Sequence, residues 1–459
     1  MEQLPDEVKV QILSFLPLLD LCQVALVSRL WNYLAQDHSL WRYLSIKCGT
    51  HDATLGRIIE KHPFITHFKY VNNNKITEAG LARVFVQCGP TLSHLFLDAC
   101  DLLSSDLISA IVEYCVSLSH LDISSNTCVD DVTICQLATC QSLNSLDISN
   151  CDRVTDGGLE VLITQRPLRK LLASYLLDVR VRTIENLVAF CSLTLHTLHL
   201  DGGNLCDEDV AKIGQITSLR ELEIQYCDEI TDVGVIALSR LSHLSIIRLY
   251  RCFNLTSCSV SEIAMKCSYL NQLVLSDCSE IDDRGLLSVG RHCSYLEKLG
   301  LAQSYNHTVT DVGLSAVLLG CGRLTELILK GLKGVRTFIS LIPGLVRTFI
   351  SLIPGLVRTF ISLIPGLVRT FISLIPVLQQ KKLQYVHLGG CQNVAPSLQE
   401  TVAALAPWVI LYGHYASTVK KSRYVSQCLG NIHAHDDSSL MDVGTSLRCS
   451  SSWSLPRYK

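Results

Sequence analysis

The sequence predicts an α/β protein: a short N-terminal helical domain followed by a curved solenoid of strands and helices. Two observations carry this prediction. Apolar residues recur at helical spacing in the first forty residues. A segment of the form L-x-x-L-x-L-x-x-C/N then returns about every 26 residues from residue 65 onward. Because one such unit cannot bury its own apolar side, the units must stack, with parallel strands on the concave face and helices on the convex face.

The N-terminal helical segment is unusually apolar for its length. Leu4 and Pro5 open a helix, with the proline in the first turn, where its missing N–H costs nothing. Apolar residues then recur in too many positions for one narrow stripe, and Pro17 ends the helix. Segments this short need another surface to cover their apolar side chains. Either the next domain or a separate partner protein supplies it.

Residues 46–64 connect this segment to the repeats. Leu55, Ile58 and Ile59 predict one short helix that ends near Pro63. We therefore expect a linker helix between the two domains.

The repeat period defines the second domain. Units begin at residues 65, 92, 118, 143, 168, 195, 219, 244, 270, 296, 324 and 383. Positions 1, 4 and 6 of each unit are apolar and are expected to face the core. Successive starts differ by 24 to 28 residues except the last two, which differ by 59.

That gap of 59 residues contains a tandem duplication. Three perfect copies of GLVRTFISLIP occupy residues 344–376, and removing these 33 residues restores a spacing of 26. Each copy ends in Pro, which is followed by Gly in the first two copies, so a continuous helix is not expected. The interpretation we favour is that one copy packs as the helix of its unit and the others loop outward. A membrane role, against which Arg347, Arg358 and Arg369 argue, and an error in the gene model are the alternatives.

The cysteines follow the repeats. Of the 21 in the chain, thirteen fall at the ninth position of a unit or near the end of its helix. These are Cys100, Cys151, Cys227, Cys252, Cys278 and Cys391, and then Cys88, Cys115, Cys140, Cys191, Cys267, Cys293 and Cys321. Their even spacing predicts small buried side chains in a reducing compartment rather than disulfides or metal ligands.

Acidic pairs also recur with the period. Thr155-Asp156, Thr231-Asp232, Asp282-Asp283 and Thr310-Asp311 precede G-L or G-V. They predict helix starts, where Thr or Asp accepts from free backbone N–H groups. The sequence contains no nucleophile elbow, phosphate-binding loop or metal motif, so no catalytic residue, metal or cofactor is predicted.

Composition excludes some partners. The net charge is −3 and the mean hydropathy is +0.30. The ordinary charge balance does not indicate a nucleic-acid partner, and no run of 18 apolar residues predicts a membrane span. We expect no signal peptide and a location in the cytoplasm, the nucleus or both.

The concave face is the candidate binding surface. Positions 3, 5 and 7 of each unit point out of the sheet. The predicted substrate-binding residues are Asp98, Asp122, Asp147, Asp201, Glu223, Arg248 and Tyr250. One hypothesis is an ordinary solvated polar face. The other is a graded groove, acidic in the early units and basic and aromatic in the later ones, that suits a substrate segment with basic residues.

The N-terminal residues resemble an F-box. The motif comprises L-P-x-E-V from Leu4, I-L at 12–13, D-L at 20–21, V-S-R-x-W at 27–31 and L-W at 40–41. The resemblance implies that this segment docks onto the adaptor subunit of an SCF-type ubiquitin ligase and, through it, onto the cullin. The adaptor-binding positions it implies are Leu4, Pro5, Val8, Leu13, Leu16 and Leu21.

The repeats resemble the cysteine-containing type of leucine-rich repeat. The expected division is an F-box at 1–45, a linker helix at 46–64, a solenoid at 65–411 and a disordered tail at 412–459. Together the two resemblances imply a non-catalytic substrate-recognition subunit of the ligase, which binds an unknown protein substrate. The alternative is a leucine-rich-repeat scaffold that does not lead to degradation. No residue supports an enzyme.

Overall fold

The computed structural model describes residues 4–16, 18–46, 49–71, 75–176, 178–302, 308–330, 385–387 and 410–412. The helices are α1 Asp6–Leu13, α2 Leu18–Val24, α3 Arg29–Ala35, α4 Asp52–Lys61, α5 Glu78–Cys88, α6 Ser105–Tyr114, α7 Asp131–Leu137, α8 Asp156–Gln165, α9 Val181–Cys191, α10 Asp207–Ile213, α11 Asp232–Ala237, α12 Ser257–Lys266, α13 Asp283–His292 and α14 Asp311–Gly320. The strands are β1 Tyr43–Ile46, β2 His67–Tyr70, β3 His94–Phe96, β4 His120–Asp122, β5 Ser145–Asp147, β6 Lys170–Ala173, β7 Thr197–Asp201, β8 Glu221–Gln225, β9 Ile246–Tyr250, β10 Gln272–Ser276, β11 Lys298–Ala302, β12 Glu326–Lys330, β13 Tyr385–His387 and β14 Ile410–Tyr412.

The strands form one parallel sheet in chain order, β1 to β14. Residues at the same position of successive repeats lie opposite each other, as in the series Leu95, Leu121, Leu146 and Leu171. Strands β2 to β13 correspond to the twelve predicted units, and β14 follows the last of them. The predicted α/β fold, a leucine-rich-repeat horseshoe after an N-terminal helical domain, is confirmed.

The sheet begins one strand earlier than the first predicted repeat. Strand β1 pairs in register with β2, Tyr43 with His67 and Ile46 with Tyr70. The predicted helix of the linker is α4, and its Leu55 and Ile59 are buried in the solenoid core. This strand lacks the repeat consensus, which is why the period does not reveal it. The domain boundaries at 45 and 65 remain predictions.

One apolar core runs through the repeats. It extends from Leu44 to Leu329 and contains positions 1, 4 and 6 of each described unit. The twelve predicted structural cysteines that lie within the described residues are all buried and form no disulfide. Burial raises the pKa of Cys115 and Cys293 to about 12, so these thiols stay protonated and unreactive.

The helical domain has a small core of its own. Leu13, Leu21, Leu34 and Ala35 are at most 3% exposed, and Trp31 and Trp41 pack against them. At the junction the Trp41 ring stacks on His62, with centroids 4.2 Å apart and planes at 6°. Burial and the nearby Lys61 lower the pKa of His62 to about 4, so the imidazole is neutral at pH 7. A stacked aromatic pair therefore joins the helical domain to the solenoid.

The predicted helix starts are confirmed. The side chains of Thr155, Thr231, Asp282 and Thr310 accept hydrogen bonds from backbone N–H groups in the first turns of α8, α11, α13 and α14. The tandem copies at 344–376 lie outside the described residues. So does the predicted tail, except Tyr412, which belongs to β14. No described helix combines the length and hydropathy that a membrane span requires.

Candidate functional site

An exposed apolar surface covers the helical domain. It consists of Leu4, Val8, Ile12, Phe15, Leu16, Leu26, Val27, Leu30 and Tyr33, which we call the helical apolar surface. Phe15, Leu26 and Val27 are 82%, 78% and 70% exposed. Because soluble monomers rarely leave so many neighbouring apolar side chains in water, the surface has the character of a protein-binding site.

The six implied adaptor positions divide into two groups. Leu4, Pro5, Val8 and Leu16 lie on the surface. Leu13 and Leu21 are 3% and 2% exposed and belong to the core of the helical domain. In this conformation these two residues hold the helices together and are not accessible to a partner. The sequence pattern could not separate the groups, because apolar residues surround both short helices.

Three strongly exposed apolar residues of the helical domain were not among the predicted adaptor-binding residues. Phe15 follows the end of α1, and Leu26 and Val27 follow the end of α2. Helical periodicity carries no information in such turns. The signal that remained was their large apolar side chains at loop positions, which ordinary turns do not favour.

On the sheet face, three predicted carboxylates lie close together. Asp122 and Asp147 occupy the same position in neighbouring strands. The Ser124 hydroxyl lies 2.6 Å from Asp122 and 3.0 Å from Asp98, and so connects these two carboxylates. The Ser124 and Ser149 backbone N–H groups donate to Asp122 and Asp147 respectively, each at 3.0 Å. The structure therefore gathers Asp98, Asp122 and Asp147 into one acidic site.

Burial and mutual repulsion shift the pKa values of Asp122 and Asp147. Burial, together with the charge of Asp147, raises the pKa of Asp122 to about 6. Burial also raises the pKa of Asp147, against its hydrogen bonds from Ser149. A cation placed at this site would relieve the repulsion and favour the ionised form of both groups.

A second cluster surrounds Arg248. Its guanidinium contacts Glu221 and lies 3.5 Å from Glu223, and it donates to Gln272 at 3.1 Å. His199 Nε2 lies 3.3 Å from Glu221. Burial alone would raise the pKa of Glu221, but the contacts from His199 and Arg248 outweigh it and hold the pKa at about 2. In this cluster one arginine is shared by two carboxylates, and His199 lies near both of them.

Asp201 and Tyr250 border that cluster. Asp201 accepts a hydrogen bond from the Gly203 N–H at 2.9 Å, and burial raises its pKa. Asp201, Gln225 and Tyr250 lie opposite one another in strands β7, β8 and β9. Gln225 donates to Glu223 at 2.7 Å. Burial raises the pKa of Tyr250, whose hydroxyl therefore stays protonated.

The predicted charge gradient stays a prediction, but the structure shows that two of its later cations are paired within the sheet. Arg248 is engaged by Glu221 and Glu223, and Lys298 lies 3.2 Å from Glu326. These cations are therefore not free to attract a ligand. The sequence showed their positions but not that neighbouring strands would pair them across the sheet. The early acidic site keeps its excess of negative charge.

A histidine ladder was not predicted. The rings of His67, His94 and His120 stack with centroids 4.0 Å apart on consecutive strands. Each Nδ1 lies 2.8 to 2.9 Å from the hydroxyl of the preceding Thr66, Ser93 or Ser119. Burial and the neighbouring rings lower the pKa of His94 to about 4. The recurring Thr-His and Ser-His dipeptides at one place in three units were the available signal.

The chemistry of the face is that of recognition. The described residues include no group of three or more His, Cys, Asp or Glu side chains arranged to hold a metal ion. The acidic site and the histidine ladder offer charge and hydrogen-bonding groups at fixed spacing along a rigid sheet. Such an arrangement can bind a polypeptide segment.

Comparisons with known proteins agree with this architecture. A family model described as F-box-like matches residues 1–47, and one described as Leucine Rich repeat matches 139–162 and 215–239. F-box/LRR-repeat protein 5 of Danio rerio is 24% identical over 39% of this chain and 33% of its own length. F-box/LRR-repeat protein 4 of Bos taurus is 23% identical over 70% of this chain and 45% of its own.

Among solved structures, a chain of the crystal structure of the Rad7 and Elc1 complex in yeast is similar. It aligns with a TM-score of 0.60 and 17% identity, covering 90% of this chain and 94% of its own. At that identity the likeness concerns the fold. The chain spans about a third of the length of the first curated relatives it matches.

Proposed function

Because this chain combines an F-box-like domain with leucine-rich repeats, as the F-box/LRR-repeat proteins do, we propose that it is the substrate-recognition subunit of an SCF-type E3 ubiquitin ligase. The helical domain binds the adaptor subunit and, through it, the cullin. The sheet face binds a protein substrate. The chain performs no bond chemistry, and holding the substrate near the ubiquitin-transfer site raises its effective concentration there. We place this function in the cytoplasm or the nucleus.

The single observation that carries the proposal is the helical apolar surface. It lies on the domain that the F-box-like model matches, and its most exposed side chains are held by a core of only a few residues. Burying such side chains against a partner contributes roughly 25 cal/mol per Å² of apolar area. An adaptor that covers Leu4, Phe15 and Leu26 would gain that contribution.

Co-purification with the adaptor and cullin tests this assignment. The wild-type chain should retain both partners, and the variant Leu4→Ala/Pro5→Ala/Phe15→Ala should lose them. Val86→Ala/Val116→Ala, which alters exposed apolar residues on the solenoid, is the matched control and should retain them. Loss in the control, or retention in the triple variant, contradicts the proposal.

We further propose that the substrate presents a basic side chain to the acidic site. Asp122 and Asp147 form no ion pair among the described residues, and the charges of His199 and Lys170 act on Asp147 only from a greater distance, whereas Glu221 and Glu223 are already paired with Arg248. Asp122→Asn/Asp147→Asn should reduce substrate capture at least tenfold. Asp101→Asn/Asp106→Asn, two exposed carboxylates near the same units, should not. Equal capture by the two double variants would contradict this part of the proposal.

The alternative function is a scaffold that binds a partner without leading to degradation. Substrate half-life in cells distinguishes the two. The Leu4→Ala/Pro5→Ala/Phe15→Ala variant should lengthen the half-life of a substrate that the sheet face still captures. An unchanged half-life, with capture and adaptor binding measured in parallel, favours the scaffold.

A further inference from the structure

A row of exposed rings follows the edge of the sheet where the strands begin. His243, Tyr269, Tyr295 and Arg323 each immediately precede the first leucine of their repeat. The His243 and Tyr269 rings are 6.2 Å apart, those of Tyr269 and Tyr295 are 5.9 Å apart, and the Arg323 guanidinium lies 4.4 Å from the Tyr295 centroid. We call these four residues the aromatic edge.

The fold does not require aromatic residues at this place. Five of the seven earlier units carry Ser or Thr there, and Phe64 and Pro167 occupy the place in the other two. The three serine hydroxyls donate to a backbone carbonyl of the preceding unit. Ser117 donates to Pro90, Ser142 to Val116, and Ser218 to Leu195, at 2.6 to 2.9 Å. The aromatic edge gives up that hydrogen bond and leaves Tyr269 and Tyr295 56% and 41% exposed. Its residues therefore contribute little to repeat stacking beyond contacts between the rings.

Exposed cations precede the rings closely in the chain. Arg240, Lys266 and Arg291 lie in the last turns of the helical segments that lead to His243, Tyr269 and Tyr295. All three are exposed, and within the part of the chain that the structure describes none forms an ion pair. With Arg323 they give four uncompensated cations on four consecutive units.

The helix macrodipole explains only part of this pattern. A cation in the last turn of a helix is favourable, which accounts for Lys266 and Arg291. Arg323 lies outside any helix, after α14, and exposed rings gain nothing from the dipole. The rings and the extra cation together indicate a ligand that is anionic and offers surface for ring contact.

We propose that the aromatic edge, with Arg240, Lys266 and Arg291, binds an extended acidic segment of a partner protein. An extended chain rises about 3.3 Å per residue, so alternate side chains lie about 6.6 Å apart on one side. The ring spacings of 6.2 and 5.9 Å are close to this value. Carboxylates at alternate residues would then meet the cations of successive units, while the intervening residues contact the rings.

A single-stranded nucleic acid fits less well. Such ligands stack their bases on exposed ring faces. Here Tyr269 has a ring neighbour on both sides, and Tyr295 lies between Tyr269 and the Arg323 guanidinium. Few ring faces are therefore open for bases, whereas ring edges and cations remain accessible to carboxylate side chains.

Fluorescence anisotropy with the full-length chain tests the proposal. The probe is a labelled (Glu-Thr)6 peptide, with (Gln-Thr)6 and a twelve-nucleotide oligothymidylate as competing ligands. (Glu-Thr)6 should bind most tightly, and its affinity should fall as salt rises, because the contacts are exposed ion pairs. Lys266→Glu/Arg291→Glu/Arg323→Glu should weaken binding at least tenfold. Tyr269→Ser/Tyr295→Ser should weaken it at least threefold and should fold, since serine occupies this place in other units.

The matched control reverses three exposed cations elsewhere on the solenoid. Arg57→Glu/Lys69→Glu/Arg169→Glu, at exposed cations that form no ion pair among the described residues, should change the affinity less than twofold. The proposal is overturned if (Glu-Thr)6 does not bind, if the control loses as much affinity as the edge variant, or if the oligonucleotide binds more tightly. Adaptor co-purification is measured on the same variants. It should be unchanged, so failure here is distinguishable from failure of the ligase assignment.

Discussion

Asp207 of one repeat accepts hydrogen bonds from Thr231 of the next. Its carboxylate binds the Thr231 backbone N–H at 2.8 Å and the Thr231 hydroxyl at 2.5 Å, and it also accepts from the Gly234 N–H at 3.1 Å. The same arrangement joins four further pairs. They are Asp52 with Thr77, Asp131 with Thr155, Asp232 with Thr256, and Asp283 with Thr310. A carboxylate in the first turn of one helix thus fixes the start of the next.

Removing this carboxylate should destabilise the solenoid. Asp207→Ala leaves the Thr231 and Gly234 N–H groups without their acceptor, and we expect a loss of about 1–3 kcal/mol in the free energy of unfolding. Urea unfolding measures it. Glu208→Ala removes an exposed carboxylate from the same helix turn and should cost about 0.5 kcal/mol or less. Equal losses in the two variants would mean that the carboxylates stabilise the chain only through the helix dipole and not through the hydrogen bonds to Thr231 and Gly234.

The sequence predicted the threonine caps of this arrangement but not the aspartates that bind them. Threonine followed by aspartate before glycine indicated a helix start, and Thr155, Thr231 and Thr310 are caps. The role of the aspartate was not predictable from one unit, because the groups that donate to its carboxylate lie on the next unit, 24 to 27 residues later. The distance between helix starts becomes visible only when the sheet register is known.

Gly80 packs against the carboxylate of Asp52, which accepts hydrogen bonds from Thr77. A Cβ at Gly80 would collide with the Asp52 carboxylate, whose atoms are the three nearest to it. Gly80→Ala should therefore destabilise the chain by about 1–3 kcal/mol, the range for overpacking. In an Asp52→Ala background the same substitution should be neutral or stabilising by up to about 1 kcal/mol, because alanine favours the helix over glycine.

A double-mutant cycle on these two residues makes the measurement. The controls are the two single variants, unfolded in urea beside the double variant and the wild type. If the loss in the double variant equalled the sum of the two single losses, the steric explanation would be contradicted. The destabilisation by Gly80→Ala would then come from the backbone conformation.

The pKa of Asp122 predicts a pH dependence of stability. The carboxyl titrates at about 6 in the folded chain and at about 3.9 when unfolded. The folded state therefore binds the proton more tightly, and this contribution is complete below about pH 4 and lost as pH rises through 6. Asp122→Asn, uncharged at every pH, should be more stable than wild type by about 1–3 kcal/mol at pH 7.5 and equal to it at pH 4.

Chemical unfolding of both proteins at pH 4 and 7.5 checks this expectation. Asp101→Asn, an exposed carboxylate of the same region, should show no such pH-dependent difference. If Asp122→Asn destabilised the chain at pH 7.5, the Ser124 hydrogen bonds would outweigh the repulsion from Asp147.

How the sheet face is charged could be predicted only in part. Period-2 alternation correctly placed Asp122, Asp147, Glu223 and Arg248 on one face. Whether a charge is free or paired depends on the opposite residue in the next strand, which is set by the exact register. Arg248 was therefore predicted as a ligand-binding cation, whereas it neutralises Glu221 and Glu223.

That pairing gives a further prediction. Arg248→Met leaves Glu221 and Glu223 largely buried without their cation, with side chains 22% and 10% exposed. We expect a loss of about 2–4 kcal/mol in unfolding free energy, since breaking a buried pair costs more than the pair contributes. Adding Glu221→Gln should recover part of it. Arg169→Met, at an exposed position, is the control. A loss in the control as large as that in Arg248→Met would refute the electrostatic cause.

Leu21 and Phe15 should behave in opposite ways, although both are apolar residues of the helical domain. Leu21 is 2% exposed within a small core, and Phe15 is 82% exposed. Leu21→Ala removes packed methyl groups, for which a loss of about 2–4 kcal/mol is expected. Because this core is separate from that of the solenoid, the loss should appear as faster hydrogen exchange in 4–41 while the repeats stay protected. Phe15→Ala should leave exchange unchanged and weaken adaptor binding alone. If Phe15→Ala accelerated exchange as much as Leu21→Ala, the exposed ring would be part of the fold rather than of a binding surface.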